Sequence, residues 1–410
     1  MRQDVLNFIV WSEYLSIIRW GGSFIKYQCK IEKMKSHIVI AGSGGIGRAA
    51  GLILAAEKTF DCHIYFGDRY IDAANSSVEF VQSGCEQHNI CTAFSMETEI
   101  SEEMKDILKK ADIILDCLPG SLAPKIAQLA KDNNLHYANL TEYVDETNQV
   151  AEIAKDAATG FVLQTGLAPG FINILAMKLF NDFTAEFEVD KVFEIKMKVG
   201  ALSENALSPH FYAFTWSPIG VATEYVKDAI VVRDYKKQNH PSLSETEALI
   251  IDGDNYEDDF TSGGAADLPE ALAGKVENLD YKTLRHPGHY QWAKRIIAAT
   301  PDGENKIEHL EKTMLDMIPS VEDDVVIVYS SVSGKDNKGV LRAKEKSYKI
   351  YPKLVGKQKL RAIQTTTAAP LCGVARLLLE GKWKGVVYQS MIDPDEFLNG
   401  PFVKSVYGEF

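Results

Sequence analysis

The sequence of 410 residues predicts an α/β fold in which a doubly wound parallel sheet is interrupted by an inserted mixed α+β region. Short apolar runs alternate with helical patterns from residue 37 to residue 163, and longer strand-like runs replace them after about residue 185. Repeated βα units imply parallel strands, because parallel neighbours require crossover connections. The length also exceeds that of one ordinary core, so two domains are expected.

The elements of the first region follow one another regularly along the chain. In the last predicted helix of this region, Leu122, Ile126 and Leu129 fall on one face. The predicted strands are residues 37–41, 63–66, 112–115, 136–138 and 160–163, and the predicted helices are residues 46–57, 102–111 and 122–131.

The second region has the pattern of a mixed or antiparallel sheet with helices. A final helix is predicted to stop at Gly381 and to return to the first domain. The first domain would then comprise residues 35–165 and 366–410, and residues 166–365 would be the insertion. The predicted strands are residues 187–199, 324–332 and 340–351, and the predicted helices are residues 290–298, 306–318 and 366–380.

The first 34 residues differ from the rest. Residues 5–27 are rich in Ile, Leu, Phe and Trp, but Glu13, Arg19 and the Gly21-Gly22 pair interrupt them. This pattern fits neither a signal peptide nor a membrane span. We interpret residues 1–34 as a leader or extension outside the core, with an interfacial amphipathic helix as the alternative. No stable membrane association is expected.

The composition argues against some classes of function. Hydrophobic residues make up 46% and charged residues 25%, the balance of a globular protein in water. The formal net charge of −13 argues against nucleic-acid binding, which requires a basic surface. A small anionic ligand is still compatible, because local fields depend on where the charges lie.

Six cysteines are scattered without a C-x-x-C pair or zinc spacing, so no metal site is expected. Cys117 ends a predicted buried strand and Cys372 lies in a predicted helix, where thiols behave as small hydrophobes. We therefore expect structural rather than catalytic thiols, in the reducing environment of a cytoplasmic protein.

A glycine-rich turn lies directly after the first predicted strand and opens the following helix. In this G-x-G-x-x-G motif the first glycine permits the turn, the second lets the backbone approach a pyrophosphate, and the third permits close helix packing. The N-terminus of the helix adds free N–H donors. This context predicts a Rossmann-type dinucleotide-binding domain. The predicted cofactor-binding residues are Gly42, Ser43, Gly44, Gly45, Ile46 and Gly47.

An acidic residue, Asp68, lies 21 positions after Gly47 at the end of the second predicted strand. Its carboxylate would accept hydrogen bonds from the adenosine ribose, which favours NAD. Arg69 follows at once and could meet a 2′-phosphate instead, so NADP stays open, and FAD is compatible with the motif alone.

The substrate is expected beyond the carboxyl ends of the parallel strands. Leu118 and Pro119 would contact the cofactor, Gly120 and Tyr143 would face the substrate, and Glu142 is a candidate acid or base near the nicotinamide. A further segment, residues 165–170, ends a strand and begins a helix with a proline suited to the first turn. It could equally be a simple loop-to-helix junction.

The second region adds four candidates. The guanidinium of Arg285 is a natural bidentate partner for a substrate carboxylate, with a surface salt bridge as the alternative. His289 could transfer a proton or cap the helix that begins there. Trp216 and Ser217 are predicted to bind the substrate. Trp216 would be an aromatic anchor before a helix that Ser217 caps, with Pro218 in the first turn.

The order of motifs resembles one known family. L-P-G follows the glycine-rich motif, and then come G-L-A-P-G-F-I-N, F-T-W-S-P-I-G-V, T-S-G-G and T-L-R-H-P-G-H. From about residue 35 onwards the chain resembles the saccharopine dehydrogenase-like oxidoreductases, which include glutamate-forming saccharopine reductases and lysine 6-dehydrogenases. The resemblance implies a nucleotide domain with an inserted mixed α/β substrate domain. It also implies NAD(P)-linked chemistry at a carbon–nitrogen bond of an amino acid derivative.

Three functions are compatible with these motifs. We favour oxidation or reduction of a secondary amine such as saccharopine, although this substrate needs a second carboxylate site and the sequence offers no clear basic pair beyond Arg285. Lysine 6-dehydrogenase activity is the nearest alternative. A non-catalytic dinucleotide sensor is the alternative of another class. The expected partners are a small amino acid substrate and a second copy of the chain, as a homo-oligomer and preferably a dimer.

Overall fold

The computed structural model describes residues 15–20, 23–28, 35–86, 90–97, 99–204 and 206–410. The chain divides into two compact units, Met1–Lys35 and Ser36–Phe410. The described part of the first unit is an antiparallel hairpin of β1 (Leu15–Trp20) and β2 (Ser23–Gln28). These residues are therefore strands, and the helix considered as an alternative for the leader is not present in them.

The larger unit contains seventeen of the strands given for the described residues. They are β3 (Ser36–Ala41), β4 (Cys62–Asp68), β5 (Cys91–Ser95), β6 (Ile113–Asp116), β7 (His136–Asn139), β8 (Gly160–Val162), β9 (Val192–Ser203), β10 (Ala229–Arg233), β11 (Lys236–His240), β12 (Glu247–Ile251), β13 (Asp254–Phe260), β14 (Val276–Arg285), β15 (Asp324–Lys335), β16 (Leu341–Ile350), β17 (Lys353–Val355), β18 (Gln358–Leu360) and β19 (Gly385–Val387).

Helices connect these strands, and two short 3₁₀ turns, Gly120–Leu122 and Gln389–Met391, accompany them. The α-helices are α1 (Gly45–Ala56), α2 (Ile71–Gly84), α3 (Glu102–Leu108), α4 (Ala123–Asp132), α5 (Val144–Ala154), α6 (Phe171–Phe187), α7 (Pro218–Val226), α8 (Leu268–Ala271), α9 (His289–Ala298), α10 (Lys306–Met317), α11 (Ala362–Leu379), α12 (Pro394–Leu398) and α13 (Pro401–Tyr407).

The first sheet is parallel throughout and has the strand order β19-β8-β7-β6-β3-β4-β5. Alternate residues of β3 belong to different apolar clusters. Ile38 and Ile40 pack in the cluster that contains Leu52 of α1, whereas Val39 packs in the cluster that contains Ile126 of α4. Helices therefore cover both faces of the sheet, and the predicted doubly wound α/β fold is confirmed.

The second sheet is mixed, as predicted. Its main path is β11-β10-β14-β9-β15-β16, and the β12–β13 hairpin joins it through β14. Strands β14 and β9 are parallel, and the other neighbouring pairs are antiparallel.

The C-terminal segment returns to the first sheet. Strand β19 pairs with β8, and Gln364 on α11 donates a hydrogen bond to the backbone carbonyl of Gly45 on α1, with an N···O distance of 3.0 Å. We keep residues 35–165 plus 366–410, with residues 166–365 inserted, as a proposed division into domains.

Two expectations near the junction between the sheets are wrong. The strand predicted to begin at residue 187 begins at Val192, because α6 continues to Phe187 and packs its ring 4.7 Å from that of Phe183, four residues earlier. Helix α6 begins at Phe171 with Gly170 as its N-cap, so Pro169 precedes the helix and does not lie in its first turn. Within the described residues, no helix is long and apolar enough to cross a membrane.

Candidate active site

The glycine-rich turn has the geometry that the sequence predicts. Gly42 has φ +97°, and a Cβ atom there would lie 3.0 Å from the carbonyl of Cys117. A Cβ atom on Gly47 would lie only 2.0 Å from the carbonyl oxygen of Gly42, whereas one on Gly44 would meet nothing within 4 Å. The turn is therefore packed tightly on the protein side and open beside Gly44, where a diphosphate would approach.

Polar groups around this turn suit a dinucleotide. The hydroxyl of Ser43 is buried and has no hydrogen-bond partner among the described residues. Asp68 accepts hydrogen bonds from the backbone N–H groups of Ser43 at 2.9 Å and of Tyr70 at 3.0 Å. An unpaired buried hydroxyl is costly unless a ligand uses it. The first sheet can thus hold the phosphates at the turn and a ribose near Asp68.

Arg69 directly follows Asp68, the last residue of β4. Its guanidinium is 4.5 Å from the centre of the exposed Tyr70 ring and donates a hydrogen bond to the hydroxyl of that residue. The side chain of Arg69 is thus held against Tyr70 and does not pair with Asp68 in the described residues.

The loops after β6 and β7 meet beside the turn. A Cβ atom on Gly120 would lie 2.3 Å from the Thr141 hydroxyl and 2.8 Å from the Tyr143 ring. The backbone N–H of Leu118 donates to the carboxylate of Asp116 at 3.0 Å, and the hydroxyl of Tyr137 donates to it at 2.8 Å. These hydrogen bonds fix the start of the loop that contains Leu118, Pro119 and Gly120.

The T-S-G-G motif of the second region packs against the loop after β7. A Cβ atom on Gly263, where φ is +90°, would lie 2.8 Å from the backbone oxygen of Glu142. The side chain of Asn173, near the start of α6, donates to the carbonyl of Gly264 at 3.0 Å. Motifs that are far apart in the sequence therefore meet at one place.

A cavity of about 190 Å³ lies where these motifs meet. Its walls come from the end of the first sheet, from the segment before α6, from α7 and α11, and from β9 and β14 of the second sheet. The polar and aromatic side chains that face it include Glu142, Trp216, Glu224, Tyr281, Thr283 and Arg285, and Ile46 of the glycine-rich turn also borders it.

Arg285 is almost completely buried, with 1% of its surface exposed. Its Nε donates to the hydroxyl of Tyr225 at 2.6 Å, and its Nη1 donates to the carbonyl of Leu284 at 2.9 Å. The guanidinium lies 4.9 Å from the centre of the Tyr212 ring, but its Nη2 group has no hydrogen-bond partner, and Arg285 forms no salt bridge with a carboxylate of the described residues. The surface salt bridge considered as an alternative is therefore wrong for this residue.

His289 is fully buried and contacts Arg285 indirectly, because both residues form hydrogen bonds with the hydroxyl of Tyr225. Its Nδ1 is 2.7 Å from the backbone oxygen of His210, and its Nε2 is 2.9 Å from the hydroxyl of Tyr225. Because a carbonyl only accepts, Nδ1 donates and Nε2 accepts the Tyr225 proton. Burial, followed by the charge of Arg285, lowers the pKa of His289 to about 3, so the ring is neutral at pH 7.

His289 therefore does not meet the other predicted catalytic residue. It is not among the residues that border the cavity, and the N-cap of α9 is Gly288, whose position makes His289 the first helical residue. Its side chain thus neither caps the helix nor faces Glu142.

Trp216 and Ser217 have different positions relative to the cavity. Trp216 borders it, and its ring packs against Gly220, where a Cβ atom would lie 2.5 Å from the ring. Ser217 is exposed and caps α7 by accepting the backbone N–H of Gly220 at 3.3 Å. Pro218 is the first residue of that helix, as predicted.

Glu224 faces the cavity and was not among the residues singled out from the sequence. Burial, followed by the negative charge of Glu142, raises the pKa of Glu224 to about 8, and burial also raises the pKa of Glu142. The sequence places Glu224 four residues after Gly220, on the same face of the helix that follows the Trp216 motif, but no local pattern indicates that this face borders a cavity.

The cysteines and possible metal ligands add no further chemistry to this site. Burial raises the pKa of the thiols of Cys117 and Cys372, which keeps them protonated at neutral pH. In the part of the chain that the structure describes, no cluster of three His, Cys, Asp or Glu residues could hold a metal ion.

Comparison with known families accounts for both sheets. Residues 38–162 match the saccharopine dehydrogenase NADP binding domain, and residues 166–406 match the saccharopine dehydrogenase C-terminal domain. The second match alone spans more than half of the chain. The chain belongs to the saccharopine dehydrogenase family. Its two matched parts are the NADP-binding domain and the C-terminal domain of that family.

Curated relatives of this family member are larger proteins. The alpha-aminoadipic semialdehyde synthase of Arabidopsis thaliana is 25% identical over 62% of the chain, and the mitochondrial enzyme of that name from Mus musculus is 20% identical over 57%. In both cases the match covers 24% of the relative, so the chain spans about a quarter of the length of these proteins.

Solved structures share the fold at low sequence identity. The saccharopine dehydrogenase (L-Glu forming) of Saccharomyces cerevisiae superposes with a TM-score of 0.68 at 16% identity, covering 91% of this chain and 98% of the other. The homospermidine synthase of Legionella pneumophila, solved in complex with NAD, superposes with a TM-score of 0.61 at 11% identity, covering 92% and 90%.

Proposed function

We propose that the protein is an NAD(P)-dependent dehydrogenase that oxidises or reduces a carbon–nitrogen bond of an amino acid, with saccharopine as the favoured substrate. The observation that carries this proposal is the guanidinium of Arg285. It is buried, lacks an acidic partner among the described residues, and has a free Nη2 group beside a cavity that Ile46 of the glycine-rich turn borders.

A substrate carboxylate would satisfy this guanidinium. A buried charge without a counterion is costly, and arginine pairs with carboxylates through parallel N–H groups. The hydrogen bonds from Arg285 to Tyr225 and Leu284 hold the side chain in one orientation before a ligand binds. A preoriented group loses less conformational entropy on binding, which supports Arg285 as the carboxylate site.

The bound dinucleotide would supply hydride transfer, and the protein residues would position the substrate and handle its protons. Gly42, Ser43, Gly44 and Gly47 would hold the phosphates. Glu142 borders the cavity from the loop after β7 and has a raised pKa, so we propose it as an acid or base. NAD is the favoured cofactor because of Asp68, and the adjacent Arg69 keeps NADP as the alternative.

Lysine is the second candidate substrate. Arg285 is the one basic residue among those that border the cavity in the described part of the chain. Lysine has a single carboxylate, whereas saccharopine has several. Oxidation of the side-chain amine of lysine, with release of ammonia, therefore suits the composition of this cavity.

The test is a steady-state assay of the purified protein with saccharopine and with lysine, each with NAD and NADP. We expect reduced cofactor to form with one of the two substrates and an aldehyde or oxo product to accumulate. Cofactor binding without turnover of either substrate would instead support the non-catalytic sensor.

A further inference from the structure

Two carboxylates, those of Glu142 and Glu224, border the cavity from different elements. Glu142 follows β7 in the first sheet, and Glu224 lies on α7 in the second region. Glu224 is only 5% exposed, and its carboxylate makes no hydrogen bond or ion pair with the described residues. A buried ionised carboxylate without a partner is unstable by several kcal/mol, so this group needs either a proton or a cationic ligand.

The surroundings of Glu224 do not supply that cation. Arg285 is the nearby positive charge and attracts the ionised form, but it forms no ion pair with Glu224 within 4.0 Å. Glu142 is the nearby negative charge and opposes ionisation. The other titratable groups that interact with Glu224 are the phenols of Tyr143, Tyr212, Tyr225 and Tyr281, whose pKa values burial raises, so they are neutral.

We propose that Glu142 and Glu224 together bind the ammonium group of the substrate and take up its proton before the carbon–nitrogen bond is oxidised. The inference rests on the proposed function and adds a second recognition site to it. Independent evidence for a ligand comes from Arg285, which borders the same cavity and has an Nη2 group without a hydrogen-bond partner. An anion would satisfy this guanidinium, whereas a cation would satisfy the two carboxylates. The ligand class is therefore an amino acid with an amine and a carboxylate at separate positions.

The aromatic ring of Trp216 supports this assignment. It borders the same cavity and packs against Gly220, one helical turn before Glu224. A cation near an aromatic ring gains electrostatic stabilisation, and more when it is desolvated. An alkylammonium group would therefore find two carboxylates and a ring in a space of about 190 Å³.

The proposed step balances in atoms and electrons. A secondary ammonium ion loses its N–H proton to a carboxylate of the pair and becomes a neutral amine. The neighbouring C–H bond then breaks, its electron pair leaves as hydride to the oxidised nicotinamide dinucleotide, and the nitrogen lone pair forms the C=N bond of an iminium ion. Water adds to that carbon, the C–N bond breaks, and an aldehyde and a primary amine are released.

Proton release on amine binding is a direct consequence. Because the pKa of Glu224 is raised to about 8, the carboxyl is protonated at pH 7 without a ligand. An ammonium ion stabilises the ionised form and should expel that proton. A simple alkylamine should therefore release up to about one proton when it binds.

The test is calorimetric titration at pH 7 without oxidised cofactor, in two buffers of different ionisation enthalpy. The probes are pentylamine, which lacks a carboxylate, and glutarate, which lacks an amine. We expect pentylamine to bind to the wild type with proton release. In Glu224→Gln the Kd for pentylamine should rise at least tenfold, and the proton release should be abolished. Glutarate should bind Glu224→Gln as tightly as before or more tightly. Glu79→Gln, which changes an exposed carboxylate on α2, is the matched control.

Equal pentylamine affinity in the wild type and in Glu224→Gln, or no pentylamine binding by the wild type, would overturn the inference. Either result leaves the proposed function intact if saccharopine or lysine is turned over. Amine binding that depends on Glu224, without turnover, would instead remove the proposed function and keep the site. Glu142→Gln provides the same test should Glu224→Gln fail to fold, as judged by its melting curve.

Discussion

At the scale of single residues, Arg285 is a buried cation whose orientation is set by a chain of hydrogen bonds. The backbone oxygen of His210 fixes the tautomer of His289, which accepts from Tyr225, which in turn accepts from Arg285. Each donor in this chain meets an acceptor, so one rotamer of Arg285 is favoured. The free Nη2 group is therefore available at a defined place.

Changing Arg285 should weaken substrate binding and spare cofactor binding. Arg285→Lys keeps the charge and loses the planar fork, so we expect a higher KM with the fold intact. Arg285→Ala should cost more, roughly 2–5 kcal/mol if the ion pair with the substrate is well desolvated. The measurement is the KM for the amino acid beside the Kd for the dinucleotide in the same variants.

Arg295→Ala, an exposed arginine on α9, is the control for a change of net charge. An unchanged KM in Arg285→Ala, or equal losses in both affinities, would reduce Arg285 to a structural residue.

Asp68 should govern the choice of cofactor. Asp68→Ser removes a carboxylate that would bind ribose hydroxyls and repel a 2′-phosphate. The substitution should therefore weaken the binding of NAD more than the binding of NADP, by on the order of 1–3 kcal/mol. Titration of both cofactors by fluorescence measures the two Kd values. Asp72→Asn, at an exposed position on α2, should change neither. A wild type that already prefers NADP would show that Arg69 dominates.

At the scale of elements, the glycines of the turn between β3 and α1 have different roles in packing and in ligand binding. Gly47 is packed on the carbonyl of Gly42, whereas Gly44 faces open space. Both tasks could be predicted from the motif, because a strand, a tight turn and a helix leave little freedom in how the backbone folds.

Alanine substitutions should separate these tasks. Gly47→Ala should lower the free energy of unfolding by about 1–3 kcal/mol, because its Cβ atom overlaps the backbone, and should also weaken cofactor binding. Gly44→Ala should cost less than about 1 kcal/mol in stability and yet weaken cofactor binding, since its Cβ atom points into open space. Chemical denaturation and cofactor titration measure the two effects. Similar destabilisation by both substitutions would contradict the assignment.

Helix α7 illustrates the limit of prediction at this scale. The cap at Ser217 and the proline at its first position were evident, because capping is a local property of the sequence. The position of Glu224 at a cavity was not evident from the sequence, because a glutamate on a helix is usually solvated. Only the packing of α7 beside the loop after β7 turns that side chain toward a cavity.

At the scale of the whole molecule, the alternation of short apolar runs and helical patterns predicted the first sheet, since burial on two faces imposes continuous apolar runs. The longer strand-like runs after about residue 185 predicted the second sheet. The boundary between α6 and β9 was misplaced because Phe187 suits either element until its packing on Phe183 is known. For the same reason, His289 could be read as a catalytic residue before its burial behind Tyr225 was known. Long-range packing decides these points, and local sequence does not contain it.

The leader should be dispensable for the larger unit. The chain divides into the compact units Met1–Lys35 and Ser36–Phe410, and the family match begins at residue 38. A chain that begins at Met34 should therefore bind cofactor and melt like the full chain. Differential scanning calorimetry checks this, and a melting temperature lower by several degrees would mean that the leader contributes to the core.

The central claim is that hydride leaves a carbon bonded to nitrogen and reaches a nicotinamide cofactor bound at the glycine-rich turn. The most direct measurement uses saccharopine with deuterium on both carbons bonded to the bridging nitrogen, and lysine with deuterium on the carbon bonded to its side-chain nitrogen. Mass spectrometry of the reduced cofactor should find one deuterium transferred from one of these substrates. Reduced cofactor without deuterium, or none at all from either substrate, would contradict the account.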